Sequence, residues 1–328
     1  MKLSLLELIR CPDSGTELQL DEASMRDGEV ESGILISTVT GNRFPITNFV
    51  PRFVPASNYA TNFGLQWNHF RTTQMDSSSG TTISADRFWR ATGWSQQDLK
   101  GQYILDAGCG AGRFAEIALG AGATVVAVDY STSVDACLRN LKGHPNLHVI
   151  QGDIYALPLK RGLFPFIYSL GVLQHTPDVA GAFASLPPFL APSGRIAIDC
   201  YERSWKAALH PRTVLRPITK RMNPERLFGR VQKSVPSLLG VSNAAARVPV
   251  LGRGLQRVVP VANFKGILPL SEVQLREWAI LDTYDWLSPL HDHPQNATTL
   301  TRWANQAKLI DIETSKPDHL VLRARASL

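Results

Sequence analysis

Five short apolar runs recur through the middle of the chain, and acidic residues stand at or beside the ends of four of them. The runs are residues 103–105, 124–129, 148–154, 164–169 and 194–199. Continuous apolar runs of this length are typical of strands that are buried on both faces, as in parallel sheets. Because longer stretches separate the runs, the pattern predicts an α/β fold with helices packed on a mostly parallel sheet.

A glycine-rich turn follows the first run, with Gly108, Gly110 and Gly112 between Asp106 and Arg113. Glycines permit a tight turn and a close approach of a ligand to the backbone, and a strand, such a turn and a helix N-terminus together form a nucleotide cradle. The spacing departs from the dinucleotide fingerprint, because Arg113 stands where its third glycine belongs. An acid two residues before the first glycine suits a ligand with an ammonium group, which S-adenosylmethionine has.

The ends of the second and third runs agree with this interpretation. Asp129 lies 17 residues after Gly112, where a carboxylate can accept hydrogen bonds from both ribose hydroxyls. Asp153 is placed to accept a hydrogen bond from the adenine amino group, with Ile154 packed on the ring.

Together these motifs, between about residues 100 and 200, resemble the class I S-adenosylmethionine-dependent methyltransferases. The resemblance implies a Rossmann-like, seven-stranded, mostly parallel sheet with helices on both faces, and S-adenosylmethionine as the cofactor. The last two strands would be residues 310–314 and 319–324, as an antiparallel pair. A doubly wound domain that binds another ligand is the alternative. The implied cofactor-binding residues in this core are Asp106, Ala107, Gly108, Gly110, Gly112, Arg113, Asp129, Tyr130, Asp153, Ile154, Ser169, Leu170 and Gln174.

Composition places limits on the class of protein. A chain of 328 residues with 44% hydrophobic residues forms one large or two modest domains with a sizeable core. The four cysteines are scattered and make no C-x-x-C pair, so they indicate neither a zinc site nor a disulfide framework, and a cytoplasmic location is predicted. Glu7 interrupts the apolar start of the chain, so we expect no signal peptide, and no apolar run has a membrane-spanning length.

Residues 1–56 differ from the core and are predicted to form a small β-rich domain, with extended pieces at 33–37, 43–47 and 48–54. The segment resembles the zinc-ribbon domain that occurs free as an activator of tRNA and rRNA methyltransferases and fused to bacterial methyltransferases. The matching residues are Leu5-Leu6 with Cys11-Pro12, and Phe44-Pro45-Ile46 with Val50-Pro51. Where that family has C-P-x-C, this chain has Cys11-Pro12-Asp13-Ser14, and no second cysteine pair exists. The expectation is a ribbon-like fold without a metal.

Residues 57–100 form a lead-in to the core, with residues 76–82 as a loop and Ser84 as the N-cap of a helix. In similar enzymes such a segment covers the cofactor. Gln66, Trp67 and Arg87 are therefore further candidates for the cofactor site. Simple packing of the aromatic side chains in this segment is the alternative.

Residues 203–270 form an insertion after the fifth core strand, in which seven prolines are predicted to separate short amphipathic helices. From residue 203 to residue 257 there are twelve lysines and arginines and one acid, Glu225, although the whole chain carries a net charge of only +6. Three interpretations stay open: a structural cap or oligomer surface, a lid over the substrate, and a peripheral contact with the inner membrane face.

Residues 271–328 complete the core. Ser271 and Gln274 have the spacing of a capping box, which predicts a helix beginning there, and a further helix is predicted from about 298 to 308.

The candidate catalytic residues are His175, which follows the fourth core strand, and a C-terminal group formed by His291, His293 and Tyr284. Histidine is the commonest general base, although a residue at the position of His175 also lines the cofactor pocket in similar enzymes without taking a proton. A histidine pair flanking Asp292 is a weak metal signal, and methyl transfer needs no metal, so no metal is assigned.

The leading hypothesis is an enzyme that moves a methyl group from S-adenosylmethionine to a small-molecule, glycan or lipid-linked acceptor at oxygen. The alternatives are a tRNA or rRNA methyltransferase, a non-catalytic S-adenosylmethionine-binding partner of another methyltransferase, and an aminopropyl transferase of the same fold. Nucleic acid is disfavoured because the chain carries no recognised RNA-binding motif. An aminopropyl transferase would need an acidic pocket for a polyamine, which the basic insertion disfavours.

Overall fold

The computed structural model describes residues 1–55, 58–204, 211–248 and 252–327, and these build two sheets with surrounding helices. The strands are β1 (Leu18–Arg26), β2 (Glu29–Ser37), β3 (Arg43–Thr47), β4 (Val50–Pro51), β5 (Tyr103–Ala107), β6 (Thr124–Asp129), β7 (Leu147–Gln151), β8 (Phe164–Leu170), β9 (Leu190–Cys200), β10 (Ile310–Ser315) and β11 (Leu320–Arg325). The α-helices are α1 (Thr61–His69), α2 (Asp76–Ser79), α3 (Ile83–Thr92), α4 (Gln96–Leu99), α5 (Arg113–Gly120), α6 (Val134–Asn140), α7 (Val179–Ser185), α8 (Pro211–Thr219), α9 (Pro224–Ala245), α10 (Gly252–Val258), α11 (Glu272–Leu287) and α12 (Ala297–Gln306).

The larger sheet has seven strands in the order β10-β11-β9-β8-β5-β6-β7. The strands β5 to β9 run parallel, and β11 pairs antiparallel with both β9 and β10. All five residues of β7 and all but one of β8 are buried, which explains why these strands appear as unbroken apolar runs. The predicted Rossmann-like fold, its five apolar strands and its final antiparallel pair are confirmed.

The helices confirm some local predictions and correct others. Ser271 caps α11 in a capping box, in which the Gln274 amide donates to Ser271 Oγ at 3.3 Å and the Ser271 amide donates to Gln274 Oε1 at 2.9 Å. This helix continues to Leu287, well beyond the predicted segment. The prediction of Ser84 as an N-cap is wrong: Thr82 precedes α3, and Ser84 lies in its first turn. The segment 76–82, predicted as a loop, contains the four-residue helix α2.

The insertion is less fragmented than its prolines suggested. Its α9 is 22 residues long and contains Pro236, so the expectation of short pieces is wrong there. Leu227, Val231 and Val235 recur every fourth residue and are buried in a cluster with Tyr284 of α11. This burial outweighs the hydrogen bond that the proline removes. Pro249, another of the predicted breaks, lies outside the described residues.

The N-terminal segment folds as an antiparallel four-stranded sheet in the order β1-β2-β3-β4. Its first strand was not predicted, and of the extended piece at 48–54 only β4 pairs as a strand. The sheet packs against the core, since the Arg52 guanidinium donates to Gln151 Oε1 and to Asp135 Oδ1, each at 2.7 Å. Leu5 and Leu35 also belong to the same buried cluster as Val126 of the large sheet.

Three findings bear on chemistry elsewhere in the chain. All four cysteines are buried and free of disulfides. Within the described ranges, no group of three or more His, Cys, Asp or Glu side chains is arranged to hold a metal ion. The same ranges contain no helix of the length and apolarity needed to cross a membrane.

Candidate active site

A cavity of about 660 Å³ lies where β5, β6 and β8 end. Its floor is formed by the glycine-rich turn after β5, by Asp129 at the end of β6 and by Leu170 at the end of β8. Other walls come from α1, α3, α11 and the end of the insertion. Ligands of open α/β sheets bind at the carboxyl ends of the strands, so this cavity is the candidate active site.

The glycine-rich turn is held against β6 by its own backbone. The amides of Gly108 and Cys109 both donate to the Val128 carbonyl, at 2.7 and 3.0 Å. Gly108 has φ +98°, and a Cβ there would lie 2.4 Å from Val172 Cγ2. This position therefore needs glycine both for its backbone conformation and for space.

Asp129 presents a fixed carboxylate to the cavity. Its Oδ2 accepts from the Gly110 amide at 2.9 Å, and its Oδ1 accepts from the amide and the hydroxyl of Ser131, each at 2.8 Å. A carboxylate oriented in this way at the end of the second parallel strand fits the ribose hydroxyls of a nucleoside.

Asp106 is a buried carboxyl at the end of β5, only 2% exposed. Its Oδ2 has no hydrogen-bond partner among the described residues. Burial raises the pKa of Asp106 to about 8, with an opposing effect of the neighbouring Tyr168 hydroxyl and a smaller contribution from the charge of Asp129. Asp106 itself does not line the cavity, but its neighbours Ala107 and Gly108 do, so a cationic group bound beside them would offset the cost of this buried carboxyl. The ammonium group of S-adenosylmethionine meets that need, and the cofactor therefore fits the residues present.

One end of the cavity is aromatic. Tyr130 and Ile154 line it, and Tyr59 stacks on Tyr130 with 4.8 Å between ring centroids. Asp153 lies beside this wall, where its Oδ1 accepts from the Tyr155 amide at 2.9 Å, and burial raises its pKa.

The lead-in segment contributes Trp67 and Arg87 to the wall of the cavity. The Trp67 indole nitrogen lies 3.4 Å from the position of a Cβ on Gly110, so the ring packs over the turn. Arg87 lines the cavity and donates from Nη2 to Asp199 Oδ2 at 2.8 Å. The structure also brings Arg113 to this wall.

Arg113 is a half-buried cation whose side-chain hydrogen bonds are to neutral groups. Its Nε donates to Ser84 Oγ at 2.8 Å, and its Nη1 donates to Gln74 Oε1 at 2.9 Å. Burial lowers the pKa of Arg113 to about 9, and the like charge of Arg87 lowers it further. A desolvated guanidinium in this setting favours an anionic group in the cavity.

One face of α11 forms the opposite wall. Trp278, Leu281, Asp282 and Asp285 line the cavity, at the i, i+3, i+4 and i+7 positions of a single helical stripe. Burial raises the pKa of Asp282 to about 7, with a further rise from the charge of Asp285 and an opposing effect of nearby Arg113.

Asp285 is held by two neighbours. Gln66 Nε2 donates to its Oδ1 at 3.1 Å, and the Tyr201 hydroxyl donates to its Oδ2 at 3.4 Å. Asp285 is thus held in position by hydrogen bonds, whereas the neighbouring Asp282 has a pKa near neutral pH.

The insertion closes the remaining side. Phe264, Leu268 and Arg212 line the cavity, and the Arg212 guanidinium stands 5.9 Å from the Tyr201 ring and 5.8 Å from the Trp286 ring. The insertion therefore contributes directly to the wall of the site.

His175 lies in the same cavity, as predicted. Its Nδ1 is 3.1 Å from the His291 carbonyl oxygen. Since a carbonyl only accepts, Nδ1 carries the proton and Nε2 the lone pair. Burial lowers the pKa of His175, so its ring is neutral at pH 7.

Several predicted site residues lie behind the walls instead of on them. Tyr284 is fully buried on the far side of α11, where its hydroxyl donates to the Pro224 carbonyl at 3.4 Å, and it does not line the cavity. The His293 side chain is exposed and only its amide is used, donating to the Gln174 carbonyl at 2.8 Å. His291 reaches the site through its carbonyl and through ring contact with Tyr59 at 5.5 Å.

Three of the predicted cofactor residues also act behind the walls. Gln66 supports Asp285, and the Ser169 hydroxyl donates to the Ala107 carbonyl at 2.7 Å, which ties β8 to β5. The Gln174 side chain is buried, and its amide has no hydrogen-bond partner within the described ranges.

The sequence reasoning missed Asp282, Trp278, Tyr59, Tyr201 and Arg212. The capping box at Ser271 indicates where α11 begins, but the helix is buried on several sides past its first turns, so no apolar period assigns Trp278 or Asp282 to a face.

Residues 105–198 match the family model described as a methyltransferase domain. This segment runs from β5 into β9 and supplies the glycine-rich turn, Asp129 and the floor of the cavity. The match covers less than a third of the chain, and on the fold described above it identifies this segment as a methyltransferase domain, a class whose cofactor is S-adenosylmethionine.

Comparisons with individual proteins are partial. A ubiquinone biosynthesis O-methyltransferase of Coxiella burnetii is 30% identical over 117 residues, which are 35% of this chain and 50% of the relative. An uncharacterized 37.1 kDa protein in transposon TN4556 of Streptomyces fradiae is 28% identical over 212 residues, 57% of this chain and 60% of the relative. The chain thus spans about half the length of the curated relatives it matches.

Among solved structures, magnesium protoporphyrin IX methyltransferase from Synechocystis PCC 6803 with bound SAH is similar at 14% identity and a TM-score of 0.43, covering 82% of this chain and 97% of that one.

Proposed function

We propose that this protein transfers a methyl group from S-adenosylmethionine to a hydroxyl oxygen of a small-molecule or lipid-linked acceptor, with Asp282 as the general base. The observation that carries the proposal is the position of Asp282, whose pKa is raised to about 7, in the cavity that the glycine-rich turn and Asp129 also line. The residues proposed to bind the methyl donor and a carboxyl with a pKa near neutral pH thereby line the same cavity.

Different residues of the cavity and its surroundings would bind different parts of the cofactor. Asp129 would hold the ribose hydroxyls, Asp106 the ammonium group and Arg113 the carboxylate, while Tyr130 and Ile154 would enclose the adenine. When bound, S-adenosylmethionine supplies a methyl group already activated by a positively charged sulfur. The protein must mainly align the acceptor, and such positioning supplies ~7–11 kcal/mol of a barrier in favourable cases.

Asp282 would take the acceptor's proton. Its ionised carboxylate accepts the hydroxyl proton as the oxygen becomes the nucleophile. A pKa of about 7 lets it act near neutral pH. General-base catalysis of this kind contributes ~10²–10⁴-fold. Asp285, fixed by Gln66 and Tyr201, raises the proton affinity of Asp282 and so keeps that pKa near neutral.

Apolar side chains would exclude water from this step. Trp278, Leu281, Phe264 and Leu268 all line the cavity around the carboxyl pair. A dry wall strengthens electrostatic interactions in the site and favours an acceptor with apolar surface.

The acceptor class is supported by the relatives and by the shape of the site. The curated relatives in Coxiella burnetii are named as ubiquinone biosynthesis O-methyltransferases, which supports oxygen as the acceptor atom, although the match covers half of each. The exposed cations of the insertion favour RNA as the second candidate substrate, but the cavity volume of about 660 Å³ favours a small acceptor group.

The test is mass-spectrometric detection of methyl transfer to a panel of phenols, catechols and aliphatic alcohols, with tRNA as a further substrate. Wild type should methylate members of the small-molecule panel, and Asp282→Asn should lower the rate while calorimetry shows unchanged binding of S-adenosylmethionine. Loss of cofactor binding in Asp129→Ala would support the assigned ribose site. Methylation of tRNA alone, or an undiminished rate in Asp282→Asn, would refute the proposal.

We further propose that the N-terminal sheet is a zinc-free relative of the ribbon domains that assist methyltransferases. Cys11, the one residue that matches a zinc ligand of that family, is buried and lies 4.0 Å from Thr40 Oγ1. Elemental analysis of the purified protein should find less than one zinc per chain, and a stoichiometric zinc content would contradict this assignment.

A further inference from the structure

The helix α8 in the insertion has its polar and apolar faces reversed. Val214 and Ile218, one turn apart, are each 70% exposed to solvent. Arg212 and Arg216, also one turn apart, face the protein instead. A surface helix ordinarily packs its apolar stripe against the core and leaves its charges in water.

The inward arginines explain how this orientation is held. Arg216 forms an ion pair with Asp292, and the two side chains are only 15% and 12% exposed. Arg212 lines the active-site cavity and stands over the rings of Tyr201 and Trp286. Since charges anchor the helix from within, its valine and isoleucine remain available to an apolar partner outside.

The exposed apolar side chains are concentrated in this part of the chain. Of fifteen large apolar side chains that are exposed within the described ranges, nine lie between Val214 and Val273. Concentrations of exposed apolar surface mark contact sites for proteins or membranes.

The charge around α8 selects the partner. Arg226, Arg230 and Lys233 are exposed and follow one another at helical spacing along α9. The segment from residue 203 to 257 holds twelve cations and the single acid Glu225. Two such surfaces would repel each other, which disfavours a second copy of this chain. An anionic surface with an apolar interior satisfies both the cations and the exposed side chains.

We propose that α8 and the exposed cations of α9 dock the protein on an anionic lipid surface, with Val214 and Ile218 inserted among the lipids. This docking stands independently of the proposed methyl transfer. Because Arg212 of the same helix lines the cavity, docking would bring that wall of the cavity close to the membrane, where a lipid-linked acceptor resides.

Co-sedimentation with vesicles tests the proposal directly, using phosphatidylcholine alone and phosphatidylcholine mixed with phosphatidylglycerol. The full chain should sediment with the mixed vesicles, less so as salt is added, and stay in solution with phosphatidylcholine alone. The double variant Val214→Gln, Ile218→Gln should bind the mixed vesicles at least about tenfold more weakly than wild type, because two branched apolar side chains are lost from the contact.

Val39→Gln is the matched control, because Val39 is 72% exposed in the N-terminal sheet, away from the insertion. It should bind the vesicles as the wild type does, and all variants should melt at the wild-type temperature since each replaced side chain is exposed. The proposal is overturned if wild type stays in solution with the mixed vesicles, or if the double variant binds them equally well. It is also overturned if light scattering shows a wild-type dimer that the double variant lacks, because the occupant would then be a second copy.

Discussion

The substitution Gly108→Ala tests the glycine-rich turn after β5, on which the cofactor site depends most directly. Gly108 has φ +98°, and an added Cβ would lie 2.4, 2.5 and 2.9 Å from Cγ2, Cγ1 and Cβ of Val172. Rotation of the valine about χ1 moves its two methyl groups but leaves its Cβ in place. The clash therefore cannot be relieved by a side-chain rotation and requires a shift of backbone.

The expected loss has two parts. A left-handed conformation costs a residue with a Cβ about 1–2 kcal/mol, and overpacking costs a further ~1–3 kcal/mol. Gly108→Ala should thus lower the free energy of unfolding by about 2–5 kcal/mol. Gly80 is the matched control: its φ is +70° and a Cβ there would meet nothing within 4 Å, so Gly80→Ala should show the backbone part alone.

Urea unfolding followed by circular dichroism measures both losses, and calorimetry measures binding of S-adenosylmethionine. Adding Val172→Ala to Gly108→Ala should recover at least ~1 kcal/mol relative to the sum of the single losses, because the two closest contacts, with Cγ1 and Cγ2, are then removed while the contact with Cβ remains. Cofactor binding should fall in Gly108→Ala and remain intact in Gly80→Ala. Equal losses in the two glycine variants, with no coupling to Val172, would refute the steric reasoning.

Three further predictions concern charge. Binding of S-adenosylmethionine at pH 7 should release a proton, because Asp106, with a pKa of about 8, is mostly protonated before the ammonium group binds. Calorimetry in two buffers of different ionisation enthalpy detects this release. Asp106→Asn should abolish it. The methylation rate should rise with pH through about 7 as the Asp282 carboxyl ionises. Asp282→Asn should lower the rate ~10²–10⁴-fold and remove this rise from the pH profile. If the rise persists in the variant, another residue is the base. Arg216→Gln should destabilise the insertion by about 3–5 kcal/mol, because Asp292 stays buried without its cation. Lys265→Gln is the control, since it breaks an exposed ion pair and should cost about 0–1 kcal/mol. Urea unfolding measures both losses.

The cofactor half of the site follows from local sequence, and for that reason it was predictable. Asp106, the three glycines and Asp129 are positioned by a strand, a turn and the next parallel strand, all within 25 residues. The contacts that shape this half are main-chain hydrogen bonds of the turn and the neighbouring strand. Such geometry depends little on distant parts of the chain.

The acceptor half depends on the length and rotation of one helix, and the sequence pattern hides both. Trp278, Ala279, Ile280 and Leu281 are buried in succession, so no amphipathic period marks α11 past its first turns. Tyr284 was assigned to the site and Asp282 was missed, yet two residues along a helix differ by about 200° around its axis. A carboxyl that faces the cavity therefore places Tyr284 on the opposite face, among the apolar side chains of α9.

The remaining differences arise from tertiary contacts that outweigh local propensity. The strand β1 was not predicted because most of its residues are exposed and only Leu18 is buried, so it lacks an apolar alternation. Pro236 lies within α9 because Val235 and its neighbours one and two turns earlier are buried against α11. The ion pair of Arg216 with Asp292 links residues 76 positions apart, a partnership that spacing does not reveal.

The electrostatics of the cavity point to its ligand more firmly than any single motif. Burial raises the pKa of Asp106 to about 8 and that of Asp282 to about 7, and it lowers the pKa of Arg113 to about 9. Each shift disfavours the charged form, so Asp282 and Arg113 on the cavity wall, and Asp106 next to the wall residue Ala107, are ionisable groups whose charges are not fully compensated. A ligand with an ammonium group, a carboxylate and a positively charged sulfur supplies the missing partners at once. A neutral nucleoside would leave Asp106 and Arg113 uncompensated, which is why the charge pattern favours S-adenosylmethionine over other nucleosides that the same fold can hold.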